Sequence, residues 1–210
     1  MVFATRDAEQ TAIRLDQAGV RHGGARALQR PVTTAEGTEL APIKFLEISD
    51  DDPAAPPNMV PEGRVGAAED APHELLDAQT GLAHPNGATG LTECVLCVGD
   101  SDLQAAGERY ERYLGLPASL DRSTSSFTLD SSRLTLTTPD GLAALLPGER
   151  PLTAPGISAY TVEVADLAAA EAHLRAQNVE FGRSADGRPF IPAKAAFGTA
   201  LVFQQSQETA

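Results

Sequence analysis

With 210 residues and a formal charge of −13, the chain is long enough for one large or two small domains. It is too acidic to grip phosphate backbones or anionic membrane surfaces, so no nucleic-acid partner and no membrane partner are expected. Trp is absent and aromatics make up 5% of the residues, which leaves Leu, Val, Ile and Ala to build the core. The sequence has no apolar run long enough to span a bilayer and no leader pattern, and its two cysteines suit a reducing, cytoplasmic setting.

In chain order, Val2-Phe3-Ala4-Thr5 reads as a strand, and Asp7 is placed to cap a helix running to about Ala18 with Ala8, Ala12 and Leu15 on one face. Arg21 to Leu40, with Gly23-Gly24 and Glu36-Gly37, predicts a hairpin with irregular arms, and Ile43 to Ile48 a further strand. Ser49 to Gly63 carries Asp50-Asp51-Asp52 and repeated Pro without periodicity, the pattern of an acidic loop. Arg64 to Glu69 is a short, weak strand, because Gly66-Ala67-Ala68 lacks bulk.

A connecting stretch follows, ending in His84-Pro85-Asn86-Gly87, where Pro fixes φ and Asn and Gly accept unusual angles. Leu91 to Val98 then reads as a strand and Asp102 to Leu114 as a helix burying Leu103, Ala106, Tyr110 and Leu114. Ser126–Leu129 and Arg133–Thr137 predict a hairpin across Asp130-Ser131-Ser132. Ala159 to Val164 is the next strand, Asp166 to Gln177 the next helix with Leu167, Ala170 and Leu174 as its stripe, and Val179–Phe181 and Thr199–Phe203 are the closing strands.

One unit therefore recurs. Thr5–Val20 lies over Val164–Val179 without a gap, matching Asp7 with Asp166 and Gly19 with Asn178, residue types that start and end helices. A looser copy runs from Glu93 to Gly115. The pattern β-α-β-β(-β), three times over, predicts an α+β protein with a first unit at 1–71, a linker at 72–89 and paired second and third units at 90–206. A sheet with one helix leaves a face uncovered, so such units pair, and paired curved sheets enclose a cup suited to a small-molecule ligand. Cys94 and Cys97 stand three apart on a strand, so their side chains point to opposite faces and share neither a metal nor a disulfide. The chain has no Gly-x-Ser-x-Gly elbow, phosphate-binding Gly loop, dinucleotide fingerprint or closely spaced pair of His.

Val95-Leu96-Cys97-Val98 leading to Tyr110-Glu111-Arg112-Tyr113-Leu114-Gly115, Tyr160 to Leu167, and the His84-Pro85-Asn86-Gly87-Ala88 turn together resemble the vicinal oxygen chelate superfamily, the glyoxalase/bleomycin-resistance fold. Within it the chain is similar to glyoxalase-like domain proteins that string βαβββ units in tandem. The resemblance implies curved mixed sheets made of paired units. It also implies a further unit before Val2, so that the first unit here is incomplete as a pair and its open edge invites a homodimer. Enzymes of the superfamily hold a divalent ion (Mn, Fe, Ni or Zn) through His and Glu on first and last strands. Carried over residue by residue, that pattern places Glu93 as a ligand, Glu69 where relatives show Glu-His, Ala159 at the place equivalent to Glu93, and Gln204 where a carboxylate is expected.

The nominated metal ligands are Glu69, Glu93 and His84. Glu69 and Glu93 are also the nominated catalytic carboxylates, and His84 and Asn86 the nominated ligand contacts. Solvated strand-end glutamates and a structural turn are the competing readings of the same residues. Two functions follow from the resemblance. One is metal-assisted chemistry of isomerase, lyase or dioxygenase type, in which the ion binds adjacent substrate oxygens. The other is metal-free binding or sequestering of a small molecule, as in resistance proteins; a site with no metal is an equal expectation.

Overall fold

Three strand–helix–three-strand modules, all with one strand order, organise the chain in a computed structural model that describes residues 1–121 and 123–206. The chain separates into two compact units, one made of Met1–Leu82 and Arg112–Gly115, the other of Ala83–Glu111 and the residues from Leu116 onward.

The first unit holds β1 (Val2–Ala4), α1 (Ala8–Gln17), β2 (Arg26–Thr34), β3 (Gly37–Glu47), β4 (Gly66–Glu69) and the short α2 (His73–Asp77). Its four strands lie in the order β1-β4-β3-β2, with β1 parallel to β4 and the other pairs antiparallel. Asp7 begins α1 by accepting a hydrogen bond from the Gln10 amide at 2.9 Å. Gly19, at φ +68°, ends it and lets the Val20 amide reach back to the Leu15 carbonyl at 2.9 Å. Ala8 and Leu15 are fully buried, and Leu75 and Leu76 of α2 pack, with Ile43, on Val32, Ala41 and Ala71.

The second unit contains two modules. β5 (Ala88–Cys97), α3 (Leu103–Leu114), β6 (Ser119–Asp121), β7 (Thr124–Thr128) and β8 (Arg133–Thr137) form one. β9 (Gly156–Val164), α5 (Leu167–Ala176), β10 (Gly182–Arg183), β11 (Pro189–Ile191) and β12 (Ala200–Gln205) form the other, and α4 (Pro139–Leu145) joins them. The sheet order β10-β11-β12-β9-β5-β8-β7-β6 shows the logic. Each module repeats the order of the first unit, and the two are fused through antiparallel pairing of their first strands, β5 and β9. In α5 the Asp166 cap accepts from the Ala169 amide at 2.9 Å, Asn178 sits at φ +55°, and the Val179 amide bonds the Leu174 carbonyl at 2.9 Å. The repeat read in the sequence is thus a repeat of hydrogen bonds.

Strand alternation sorts the side chains of this sheet onto two faces. Val162, Val164, Leu201 and Phe203 meet Ala170 and Leu174 of α5 on one face. Val95, Ala159 and Val202 meet Leu142, Leu145 and Leu146, from α4 and the residue after it, on the other.

Some expectations need correction. Val179–Phe181 is not a strand; Val179 and Phe181 pack into the α5 core, and pairing begins only at Gly182. The hairpin arm ending near Leu40 and the strand at Ile43–Ile48 are one continuous strand, β3. The helix α4 and strands β6, β10 and β11 were not expected. Among the described residues no helix is long and apolar enough to cross a membrane.

Candidate functional site

On the face of the eight-stranded sheet away from α5, a cavity of about 960 Å³ opens within the second unit. Its apolar wall comes from Leu142, Leu145, Leu146 and Val202, and its polar floor from the facing residues of β5, β7, β8, β9 and β12. Register fixes that floor. Val202, Thr161, Glu93 and Arg133 stand side by side on four adjacent strands, and Gln204 lies beside Glu163 one step further along.

Glu93 is half-buried at the centre of this row. The hydroxyl of Thr135 donates to its Oε1 at 2.6 Å, and that of Thr161 to its Oε2 at 3.3 Å, so threonines from both neighbouring strands fix the carboxylate. Arg188 donates from a terminal nitrogen to Gln204 Oε1 at 3.1 Å, and its Nε lies 2.7 Å from Asp186 Oδ2. Hydroxyls of Thr92, Thr124, Ser126 and Thr128 complete the lining.

The pairing of β5 with β9 also reveals the relation between the two modules. Glu93 pairs with Thr161 and Val95 with Ala159, so an exchange of the modules about the Cys94–Tyr160 pair carries Glu93 onto Ala159 and Val95 onto Thr161. The site is asymmetric at its centre: a carboxylate on one side faces a methyl group on the other.

Glu69, Glu93 and His84 form no common group among the described residues. Glu69 belongs to the first unit, where it accepts from the Ala8 amide at 3.0 Å and lies 3.7 Å from Lys44 Nζ. Asp7, Glu9 and Glu69 do converge closely enough to hold a cation. Lys44 already serves them, 2.8 Å from Glu9, and its ammonium is held above the usual lysine range, first by the hydrogen bond to Glu9 and further by the charges of Glu69, Glu9 and Asp7. Asp7 is engaged as the α1 cap. His84 is exposed in the turn before β5, its carbonyl accepting from the Gly87 amide at 2.9 Å, and Asn86 Oδ1 accepts from the Ala88 amide at 3.0 Å. Both shape the entry into β5, and neither lines the cavity.

The donors in the cavity do not fit a divalent ion, which needs about three protein ligands around an open position. Both oxygens of Glu93 are engaged by hydroxyls, its counterpart is Ala159, and the Gln204 oxygen faces a guanidinium. The two thiols are free, and burial pushes both up to about 11, so neither is a ready thiolate.

Arg133, Thr135, Thr161, Glu163 and Arg188 were not singled out from the sequence. For Arg133 and Thr135 the signal is the alternation in Arg133-Leu134-Thr135-Leu136-Thr137, echoed by Ser126-Phe127-Thr128, which sets polar side chains on one face of each strand and Phe127, Leu134 and Leu136 on the other. Thr135 and Thr137 are buried even so, which marks that polar face as sheltered rather than solvated.

No family model matches the chain, and no curated protein does. Its likeness is to solved structures. A hypothetical protein from Staphylococcus aureus superposes with a TM-score of 0.55 at 10% identity, over 97% of this chain and 63% of that one. A variant of 4-hydroxymandelate synthase from Streptomyces coelicolor gives 0.51 at 18% identity, over 97% and 68%. The 2,2',3-trihydroxybiphenyl 1,2-dioxygenase from Sphingomonas wittichii gives 0.50 at 13% identity, over 98% and 69%. The chain thus spans between 63% and 69% of the length of these proteins. With three modules of one strand order, two of them joined first strand to first strand around a cup, the chain has the glyoxalase/bleomycin-resistance fold.

Proposed function

We propose that the second unit binds a small molecule in its cup without a resident metal, Glu93 serving as the central hydrogen-bond acceptor. The observation that carries this reading is the state of Glu93, fixed between the hydroxyls of Thr135 and Thr161, with the methyl group of Ala159, and no further ligand, diagonal to it on the paired strand. The apolar wall of Leu142, Leu145, Leu146 and Val202 suits the hydrocarbon part of a ligand, whose burial stabilises the complex by roughly 25 cal/mol per Å². The threonine-held carboxylate suits a hydrogen-bond donor on the same molecule, and because it is already oriented, little side-chain entropy is lost on binding. Metal-assisted chemistry of isomerase, lyase or dioxygenase type is the competing reading, favoured by the synthase and the dioxygenase among proteins of this fold.

Elemental analysis separates the two. Protein purified without chelator is expected to carry Mn, Fe, Ni and Zn well below one equivalent, and adding these ions is expected to leave its melting temperature unchanged. Stoichiometric metal that disappears in Glu93→Ala would overturn the metal-free reading.

A further inference from the structure

Two charged side chains in the cup have no partner among the described residues. Glu163, half-buried on β9, and Arg133, exposed at the start of β8, both line the cavity, and neither makes an ion pair or a side-chain hydrogen bond among the described residues. Arg188 differs, being already matched by Asp186 and Gln204.

Glu93 and Arg133 sharpen the contrast. They are direct neighbours in the β5–β8 register, where adjacent strands run about 4.8 Å apart, a spacing that readily closes into an ion pair. They form none; the Glu93 carboxylate is held instead by Thr135 and Thr161. Asp130, which also lines the cavity, is engaged elsewhere, so the side chains left to a ligand are a negative pole at Glu93 and Glu163, on the paired first strands, and a positive one at Arg133 one strand away. Glu93 and Glu163 are half-buried and Arg133 stands exposed at the rim, so a ligand that supplies the complement of both poles gains more than one that matches a single charge.

Resting on the metal-free reading above, we infer that the ligand of this cup is a small zwitterion with an apolar body. Its cationic group, an ammonium or similar, faces Glu93 and Glu163. Its anionic group, a carboxylate or similar, faces Arg133, where a guanidinium can donate two parallel hydrogen bonds. The apolar body lies against Leu142, Leu145 and Leu146. A cation alone leaves Arg133 unmatched, and an anion alone leaves the two glutamates unmatched.

Four probes with a common phenyl ring test the inference on the full chain: phenylalanine, phenethylamine, phenylpropanoate and phenylpropanol. These carry both charges, the positive charge, the negative charge and neither. Titrations followed by the NMR shifts of Thr135, Ala159 and Val202 report binding in the cup itself. Phenylalanine is expected to bind at least tenfold more tightly than either singly charged probe. Arg133→Ala is expected to reduce phenylalanine to the level of phenethylamine, and Glu163→Gln, which leaves Glu93 in place, to weaken it severalfold toward the level of phenylpropanoate. Both side chains lack partners, so neither substitution removes a contact the fold uses, and circular dichroism checks this.

If phenethylamine, phenylpropanoate or phenylpropanol matches phenylalanine, the zwitterion inference falls while small-molecule binding in the cup stands. If none of the four shifts the cup resonances, the inference and the reading beneath it both fail. A tenfold preference that survives Arg133→Ala and Glu163→Gln unchanged also overturns the assignment.

Discussion

Glu171 shows how much arrangement a single carboxylate can hold in this chain. It accepts from Arg183 at 2.7 and 2.9 Å and from Arg175 at 2.7 Å, and both guanidiniums flank the Phe181 ring, 5.2 and 5.6 Å from its centroid. The hydrogen bond from Arg183 is the main reason its carboxyl lies below the ordinary glutamate range. A carboxyl depressed in the folded state stabilises the protein above its unfolded pKa, about 4.3, and that contribution disappears as the pH falls through the folded value. Glu171→Gln is therefore expected to lower stability at pH 7 by about 1 kcal/mol, the contacts being near the surface. Urea titrations should show the gap between the two proteins narrowing below about pH 4. A gap that stays constant down to pH 2 would mean the charge is not what Glu171 contributes.

At the scale of elements, the most legible features were those set by local hydrogen bonds. Asp7 and Asp166 were readable as caps because each is a short acceptor before an Ala-rich stripe, and in both the side chain does accept from the amide three residues on. Asp7→Ala and Asp166→Ala are each expected to cost about 1 kcal/mol in urea denaturation, with Asn at either position recovering most of it. A loss confined to one helix would break the equivalence of the modules. By contrast, Val179–Phe181 has the composition of a strand, but its apolar side chains are taken up by Leu174 and Phe203, a tertiary demand that composition does not express. α4 did carry a local signal: Thr138 caps the Gly141 amide at 3.2 Å and Pro139 follows at the first helical position. Its brevity hid it. The short strands β10 and β11 exist through pairing with β12 and have no periodicity of their own. The candidate site was less legible. Glu93, Ala159 and Gln204 came forward only through the family resemblance, and the partnerships of Glu93 with Thr135 and Thr161 are set by register between strands, which the sequence does not display.

For the molecule as a whole, the governing fact is that one module is used repeatedly and that two of its copies are joined through their first strands. In the second unit this makes the cup floor a product of two-fold exchange, under which Ala159 answers to Glu93. Ala159 is fully buried and diagonal to Glu93 across the β5–β9 pair, where side chains lie roughly 7–8 Å apart and long ones meet. Ala159→Glu is then expected to set two carboxylates against each other in a desolvated floor. An uncompensated buried charge beside a like charge costs about 3 kcal/mol, and the melting temperature should fall accordingly. A divalent cation gives that pair what neither Thr135 nor Thr161 can, so Mn, Ni or Zn should restore much of the lost stability in the variant while leaving the unsubstituted chain unmoved. Thermal denaturation with and without each ion reads the result directly. If Ala159→Glu were destabilised and no cation helped, Ala159 would not be the counterpart of Glu93, and the two modules would share a strand order without sharing a site.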